Sequence, residues 1–366
     1  MVCSILFKGL IMAQMKILVF DWGDTLMTTY PESIGPMAFW PEVAEVEGAG
    51  EALRRLSEDY TIILATNARE SSAKQVQMAL RRVGLDPFIQ KIFTYHELGF
   101  WKPERGFYRK IEKMMGTEPE DMVMVGDNFE SDALGGHLAG WHTIWFNPLF
   151  NYAPGLGAIQ NMEIYRMEEL AGAIKYLELP GWETCQKWYM EVSRSIRLWL
   201  HVQMVASTAY VLALWIRRNG KQINPLLAQR GGLLHDICKL KKDEGEGGDH
   251  RDHGVVGGEW LAERGQPELA NIARRHILDG ITDETRRPQT LEEKVVYFAD
   301  KLCEDASLVD IDTRLSALKR RYPDYASRMT ASEPALKELQ KELALAAGVD
   351  EAEMLGKIRQ VIGKTS

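Results

Sequence analysis

The sequence predicts an α/β domain built on a parallel sheet, followed by an all-α domain. Three observations carry this expectation. The 366 residues exceed one ordinary domain. From Met15 onward, strand-like and helix-like segments alternate, the pattern of a parallel sheet covered by helices. Beyond Pro180-Gly181 the pattern is almost wholly helical, with loops rich in Gly, Asp and Lys. The boundary is placed so that the domains cover 14–178 and 179–366.

Composition narrows the class. Hydrophobic residues make up 45% and charged residues 26%, enough apolar material for two cores. A net charge of −8 and a pI near 5.6 argue against an extended nucleic-acid surface but allow a small basic pocket. Cys3, Cys185, Cys238 and Cys303 are scattered without a C-x-x-C pair, which fits a reduced, cytoplasmic protein. The apolar stretch 1–13 is broken by Lys8 and is shorter than the roughly 20 residues a bilayer span needs. It reads as an N-terminal extension, or as the region upstream of a start at Met12 or Met15, with no membrane attachment.

In the first domain, Lys16-Ile-Leu-Val-Phe20 reads as a buried strand ending in Asp21-Trp-Gly-Asp-Thr-Leu26. Residues 51–56 read as a helix and 61–65 as a second strand, ending at Thr66-Asn67. A short strand over 92–94 precedes a loop with Lys102-Pro103. Another over 122–125 ends in Gly126-Asp127, with Asp132 five residues on, and 133–140 reads as the following helix. Residues 142–146 close the series. The polar residues lie just after strand ends, where open α/β sheets bind ligands.

In this order the segments resemble the haloacid dehalogenase (HAD) superfamily, a Rossmann-like fold, over about residues 14–150. The resemblance implies that Asp21 attacks phosphorus and forms an aspartyl-phosphate. It implies that Thr66 and Lys102 hold phosphoryl oxygens. Mg²⁺ would sit among Asp21, the Gly23 backbone carbonyl and Asp127, with Asp132 completing the carboxylate set. The family usually carries its general acid/base two residues after the nucleophile. That place is Gly23 here, and the carboxylate falls one residue late, at Asp24. Proton transfer needs contact of about 2.6–3.2 Å. Three readings stay open: Asp24 presented by an altered loop, protonation by substrate or water, and a degenerate domain that senses a phospho-ligand. The short inserts between 26 and 61 and between 68 and 101 imply a minimal cap and an open site.

In the second domain, 193–216 reads as a long apolar helix carrying His201, and 226–240 as another carrying His235, Asp236 and Lys239. The charged, glycine-rich loop 241–252 is expected to border the site. His253 opens a third helix, while 272–277 carries His276 and 295–302 carries Asp300. From 308 onward the chain is helical and charge-laced, a solvated cover or a homo-oligomer contact. Five of the eight histidines fall between 201 and 276, and four of them combine with two aspartates. Four imidazole nitrogens and two carboxylates can hold two transition-metal ions with one carboxylate shared, which lowers the pKa of water and clamps a phosphate ester. His250 reads as a solvated loop residue, and His96, His137 and His142 as structural. Asp279 and Lys301 read equally as substrate contacts or surface residues.

The order H…HD…H…H…D over about 195–305 resembles the HD-domain superfamily of metal-dependent phosphohydrolases. The phrases L-L-H-D-I-x-K, H-G-V-V-G and F-A-D-K resemble its dinuclear branch, related to the symmetrical diadenosine-tetraphosphate hydrolases. This implies one metal on His201, His235, Asp236 and Asp300, and a second on His253, His276 and the shared Asp236. Iron or manganese are the implied metals, and Lys239 would neutralise phosphate charge. The expected function is a bifunctional phosphohydrolase acting on a small, nucleotide-like phosphorylated substrate. Its HD half would cleave an ester or anhydride and its HAD half a phosphomonoester. A di-iron oxygenase is the rival reading of the HD half.

Overall fold

The computed structural model describes residues 17–193, 195–239 and 252–365. The opening stretch 1–13, Met15 and loop 241–251 with His250 lie outside the described residues. The chain divides into two compact units. The first runs to Asn151 and resumes over Ile159–Glu178, and the second takes Tyr152–Ala158 and continues from Leu179.

The first unit is a six-stranded parallel sheet in the order β3-β2-β1-β4-β5-β6. Its strands are β1 (Ile17–Phe20), β2 (Thr61–Ala65), β3 (Lys91–Phe93), β4 (Met122–Gly126), β5 (His142–Phe146) and β6 (Met162–Ile164). Helices α1 (Ala49–Leu56), α2 (Ala73–Arg82) and α3 (Arg105–Met115) are among those that cover it. The central strands β1 and β4 are apolar along their length because both faces are covered. Leu18, Phe20, Leu64 and Val125 pack into one core, and Val19, Ile63, Phe93 and Met124 into another. The chain adds β2 and β3 on one side of β1 and then β4 on the other. The loops after β1 and β4 therefore part at a switch point, where such sheets bind ligands.

Three details differ from expectation. The sheet does not close at β5. Met162–Ile164 adds a sixth strand, too short for a sequence period and fixed instead by parallel pairing with β5. β3 stops at Phe93 because the Thr94 side chain caps the next helical turn together with Glu97. After β4 the chain forms a π-helix over Phe129–Leu134 where an ordinary helix was read to begin at 133.

The second unit contains α4 (Trp182–Val192), α5 (Ile196–Arg218), α6 (Pro225–Leu234), α7 (His253–Glu263), α8 (Pro267–Arg275) and α9 (Leu291–Lys301). A two-stranded hairpin follows, β7 (Cys303–Glu304) with β8 (Ser307–Leu308), then α10 (Ile311–Arg321), α11 (Ala326–Ala347) and α12 (Glu351–Thr365). Helix α5 is long and apolar enough to cross a membrane, yet 78% of its most apolar window is buried inside the structure. It packs closely on α6, since a Cβ on Gly232 would lie 2.6 Å from the Ala206 Cα. The buried Arg230 donates to the Pro180 carbonyl at 2.9 Å and the Ala158 carbonyl at 2.7 Å, anchoring 152–158 to this unit. Helix α6 ends at Leu234 rather than near 240, and α8 ends at Arg275, so His235 and His276 are C-caps.

Candidate metal centres

At the carboxyl edge of the sheet, the β1 ladder continues one residue beyond the strand. The Asp21 amide donates to the Val125 carbonyl at 2.9 Å, which sets Asp21 beside the loop holding Asp127. Oxygens of Asp21, Asp127 and Asp132 lie within 4.8 Å of one another. Lys102 donates to Asp21 at 2.5 Å and to Asp132 at 2.6 Å. Asn67 fixes this lysine by bonding its backbone twice, at 2.7 and 3.0 Å. Thr25 and Asp127 lock the two loops together: the Thr25 hydroxyl donates to the Asp127 carboxylate and accepts from the Asp127 amide, both at 3.1 Å. Thr66 is buried at the end of β2.

Burial, aided by repulsion from Asp132 and Asp127 and opposed by Lys102, raises the Asp21 carboxyl to about 7. Burial and Asp132 raise Asp127 to about 6. Burial alone would lower the Lys102 ammonium, but the two carboxylates outweigh it and hold it raised. An all-oxygen cluster whose carboxyls resist ionising together is complementary to a hard cation, so these residues fit Mg²⁺. Asp132 stands slightly apart in character. Its oxygens also accept from the Asn128 amide at 3.0 Å and the Ser131 hydroxyl at 3.3 Å, so it secures Lys102 as much as it faces a metal.

Asp24 is not brought into this set. Its backbone is left-handed at φ 53, and its carboxylate accepts from the Thr29 amide at 2.9 Å and from the Thr29 hydroxyl. Gly23 bridges to Met27, and a Cβ there would meet the Thr29 methyl at 2.9 Å. The loop that displaces the carboxylate by one residue thus gives it a different partner.

In the second unit the six expected ligands converge. His201, His235 and Asp236 form one group whose donor atoms lie within 4.8 Å, and Asp236, His253 and His276 form another sharing the same aspartate. His201 Nε2 lies 3.1 Å from Asp300 Oδ1, and His235 Nε2 lies 3.8 Å from it. His253 Nε2 and His276 Nε2 face each other at 3.0 Å, each 3.1 Å from Asp236 Oδ1.

The local fold sets the tautomers. The Nδ1 atoms of His235 and His276 lie 2.8 and 2.6 Å from the carbonyls of Gly232 and Ala273, three residues back at helix C-termini. His201 Nδ1 meets the Asp305 carbonyl at 3.1 Å. Only N–H can satisfy a carbonyl, so each Nε2 is left as a lone pair aimed inward. His235 Nε2 is buried and has no hydrogen-bond partner, which a metal would supply. Burial holds His276 down to about 4 despite its contact with Asp236, keeping it neutral as a ligand must be. Burial alone would raise Asp236 and Asp300, but neighbouring cations and imidazoles keep both well below the usual carboxylate range. Mixed nitrogen and oxygen donors fit transition metals.

A cationic shell surrounds the cluster. Lys239 donates to Asp236 at 2.6 Å. Lys301, left open as a surface residue, is buried and donates to Asp300 at 2.5 Å and to the His276 carbonyl at 2.7 Å. Arg314, Glu304, Asp305 and Arg197 escaped the sequence reading. Arg314 is buried, reaches Asp300 at 3.4 Å and pairs with Glu304. Asp305, left-handed at φ 51, turns the β7–β8 hairpin and is clamped by Arg197 at 2.8 and 2.9 Å. Asp279 pairs with Arg286 and Arg328 instead. The only sequence signal for this shell was charge close behind Asp300, which a solvated face shows equally.

A parallel sheet with carboxylates at its switch point, then a helical His/Asp cluster, defines a chain of two metal-dependent enzyme domains. Family comparison agrees. The haloacid dehalogenase-like hydrolase family matches residues 34–140, and the HD domain family matches residues 198–305. The chain therefore carries a haloacid dehalogenase-like hydrolase domain followed by an HD domain. Asp21 lies before the first matched span and Arg314 beyond the second. An uncharacterized protein of Methanocaldococcus jannaschii is 41% identical over 33% of this chain and 75% of its own length. The pyrimidine 5'-nucleotidase PynA of Streptococcus pneumoniae is 35% identical over 34% of this chain and 52% of its own. The chain thus spans three quarters of the first relative and about half of the second. A crystal structure of a HAD phosphatase from Thermococcus onnurineus aligns with a TM-score of 0.37 and 16% identity, covering 43% of this chain and 97% of that one.

Proposed function

We propose that the chain is a bifunctional phosphohydrolase, with a Mg²⁺-dependent phosphomonoesterase in its first unit and a dinuclear phosphohydrolase in its second. One observation carries the reading of the second unit: four imidazoles gather with Asp236 and Asp300, and backbone carbonyls set the tautomers of His201, His235 and His276. Iron or manganese, when bound, supplies an activated water. Asp236 and Asp300 hold the charge balance, and Lys239 stands beside Asp236 to offset phosphate charge. The substrate proposed for this unit is a small, nucleotide-like phosphate ester or anhydride; the relatives named as a nucleotidase and a phosphatase are of the haloacid dehalogenase type and support the monoesterase reading of the first unit. Metal analysis of the purified protein is expected to give two transition-metal ions per chain. His235→Ala and Asp236→Asn are expected to lose metal together with phosphate release. Full metal content with O₂-dependent turnover would replace this reading with an oxygenase.

In the first unit, the Asp21 carboxylate attacks phosphorus and the ester oxygen departs with its bonding pair. Lys102 and Thr66 hold the phosphoryl oxygens, and water then cleaves the aspartyl-phosphate. Bound Mg²⁺ supplies further positive charge against those oxygens. Because Asp24 is committed to Thr29, solvent protonates the leaving oxygen, which favours acidic leaving groups. The same observation supports a second reading, in which this unit senses a phospho-ligand and regulates the HD domain. Monoester turnover that survives Asp21→Asn, with altered HD activity, would select the sensor.

A further inference from the structure

The loops that carry Thr66 and Lys102 also carry a stacked cation. Arg69 lies three residues beyond Thr66, on the loop that follows β2, and its side chain is exposed. Its guanidinium carbon sits 4.0 Å from the centroid of the Trp101 ring, and Trp101 immediately precedes Lys102. Tyr95 stacks on the same indole, with centroids 5.4 Å apart and planes 25° from parallel. The Arg69 carbonyl meets His96 Nε2 at 2.8 Å, so the residue is held at both ends. Other arginines stacked on aromatic rings use their nitrogens on neighbours: Arg218 on the Tyr152 hydroxyl, Arg264 on the Trp260 carbonyl, and Arg328 on Asp279. Among the described residues, the Arg69 guanidinium has no such partner. Stacking occupies the face of a guanidinium and leaves its N–H edge free for an anion.

The geometry points to Arg69 as a specificity-determining residue that binds a second anionic group of the phosphomonoester, with Trp101 as its platform. The substrate class is a phosphate ester that bears a further carboxylate or phosphate a short chain away. This rests on the phosphatase reading of the first unit, since the anion is placed relative to a phosphoryl group held by Thr66 and Lys102. A flexible surface arginine would lose much of its binding to side-chain ordering. Arg69 is ordered before the ligand arrives.

The test is calorimetric and needs no turnover. The full-length protein with Mg²⁺ is titrated with propylphosphonate, 3-phosphonopropionate and propane-1,3-bisphosphonate. Wild type is expected to bind one or both compounds with two anionic groups about 10- to 100-fold more tightly than propylphosphonate, the range of a charge-assisted hydrogen bond. Which of the two binds better tells carboxylate from phosphate. Arg69→Gln is expected to erase that preference while leaving propylphosphonate unchanged, and its exposed position keeps folding intact. Affinity for the two-group compounds within twofold of wild type in Arg69→Gln overturns the inference. Thr66→Ala and Lys102→Gln separate the two levels of argument. Phosphonate binding indifferent to both variants sinks the phosphoryl pocket and this inference with it, whereas binding that needs them but ignores Arg69 sinks the inference alone.

Discussion

At the scale of single residues, neighbours decide the fate of each carboxylate. Asp21 and Asp24 are three positions apart, yet one is buried against Lys102 and the other is tied to Thr29. Asp21→Asn is expected to lower aryl phosphate hydrolysis on the order of 10³-fold or more, because nucleophile and metal ligand are lost together. Asp24→Asn is expected to change the same rate by less than about threefold, since loss of a general acid would cost roughly 10²–10⁴. Steady-state kinetics on p-nitrophenyl phosphate separates these outcomes. A large loss in Asp24→Asn would return that residue to the proton-transfer path. Lys301 makes a similar point. Its sequence position beside Asp300 left surface and site readings equal, and only burial against Asp300 and the His276 carbonyl decides between them.

At the scale of elements, the HD cluster is assembled from helix ends. His235 and His276 cap α6 and α8, and His253 is the first residue of α7. Periodicity made the helices legible, because buried apolar faces repeat along the chain. It leaves their ends illegible, so the helix expected over 226–240 runs past His235 and Asp236, while α6 ends at Leu234. At these ends the imidazoles of His235 and His276 bond carbonyls three residues back, a local contact that apolar periodicity does not record. The same limit hid β6 and the π-helix that carries Asp132. Gly232 couples packing to this arrangement, since its carbonyl holds His235 and its Cα faces Ala206. Gly232→Ala is expected to destabilise the second unit by about 1–3 kcal/mol and to reduce bound transition metal, because backbone must shift. Thermal melting with metal analysis checks both, and wild-type metal content in a destabilised variant would separate packing from ligand placement.

At the scale of the whole molecule, the two units respond oppositely to acid when stripped of metal. Between 3.8 and about 7, folded Asp21 binds a proton that the unfolded chain releases, so stability of the first unit falls as pH rises. Asp127 adds to this up to about 6. Between about 4 and 6.5, unfolded His276 binds a proton that the folded form excludes, so stability of the second unit rises with pH. Asp236 and Asp300 are held below this window and do not reverse it. Hydrogen exchange at pH 4.5 and 6.5, corrected for intrinsic rates, is expected to show protection moving in opposite directions, by at most about 1.4 kcal/mol per pH unit for each group. Parallel movement would mean that other groups control acid stability. The net charge of −8 is silent about both carboxylate clusters, because cations beside them such as Lys102, Lys301 and Arg314 are few and buried. The carbonyl-bonded imidazoles carry one more consequence. Since the fold has oriented the rings before any ion arrives, chelator treatment followed by resupply should be a repeatable cycle, with loading as fast as diffusion and dehydration of the ion allow and no slow refolding lag in between.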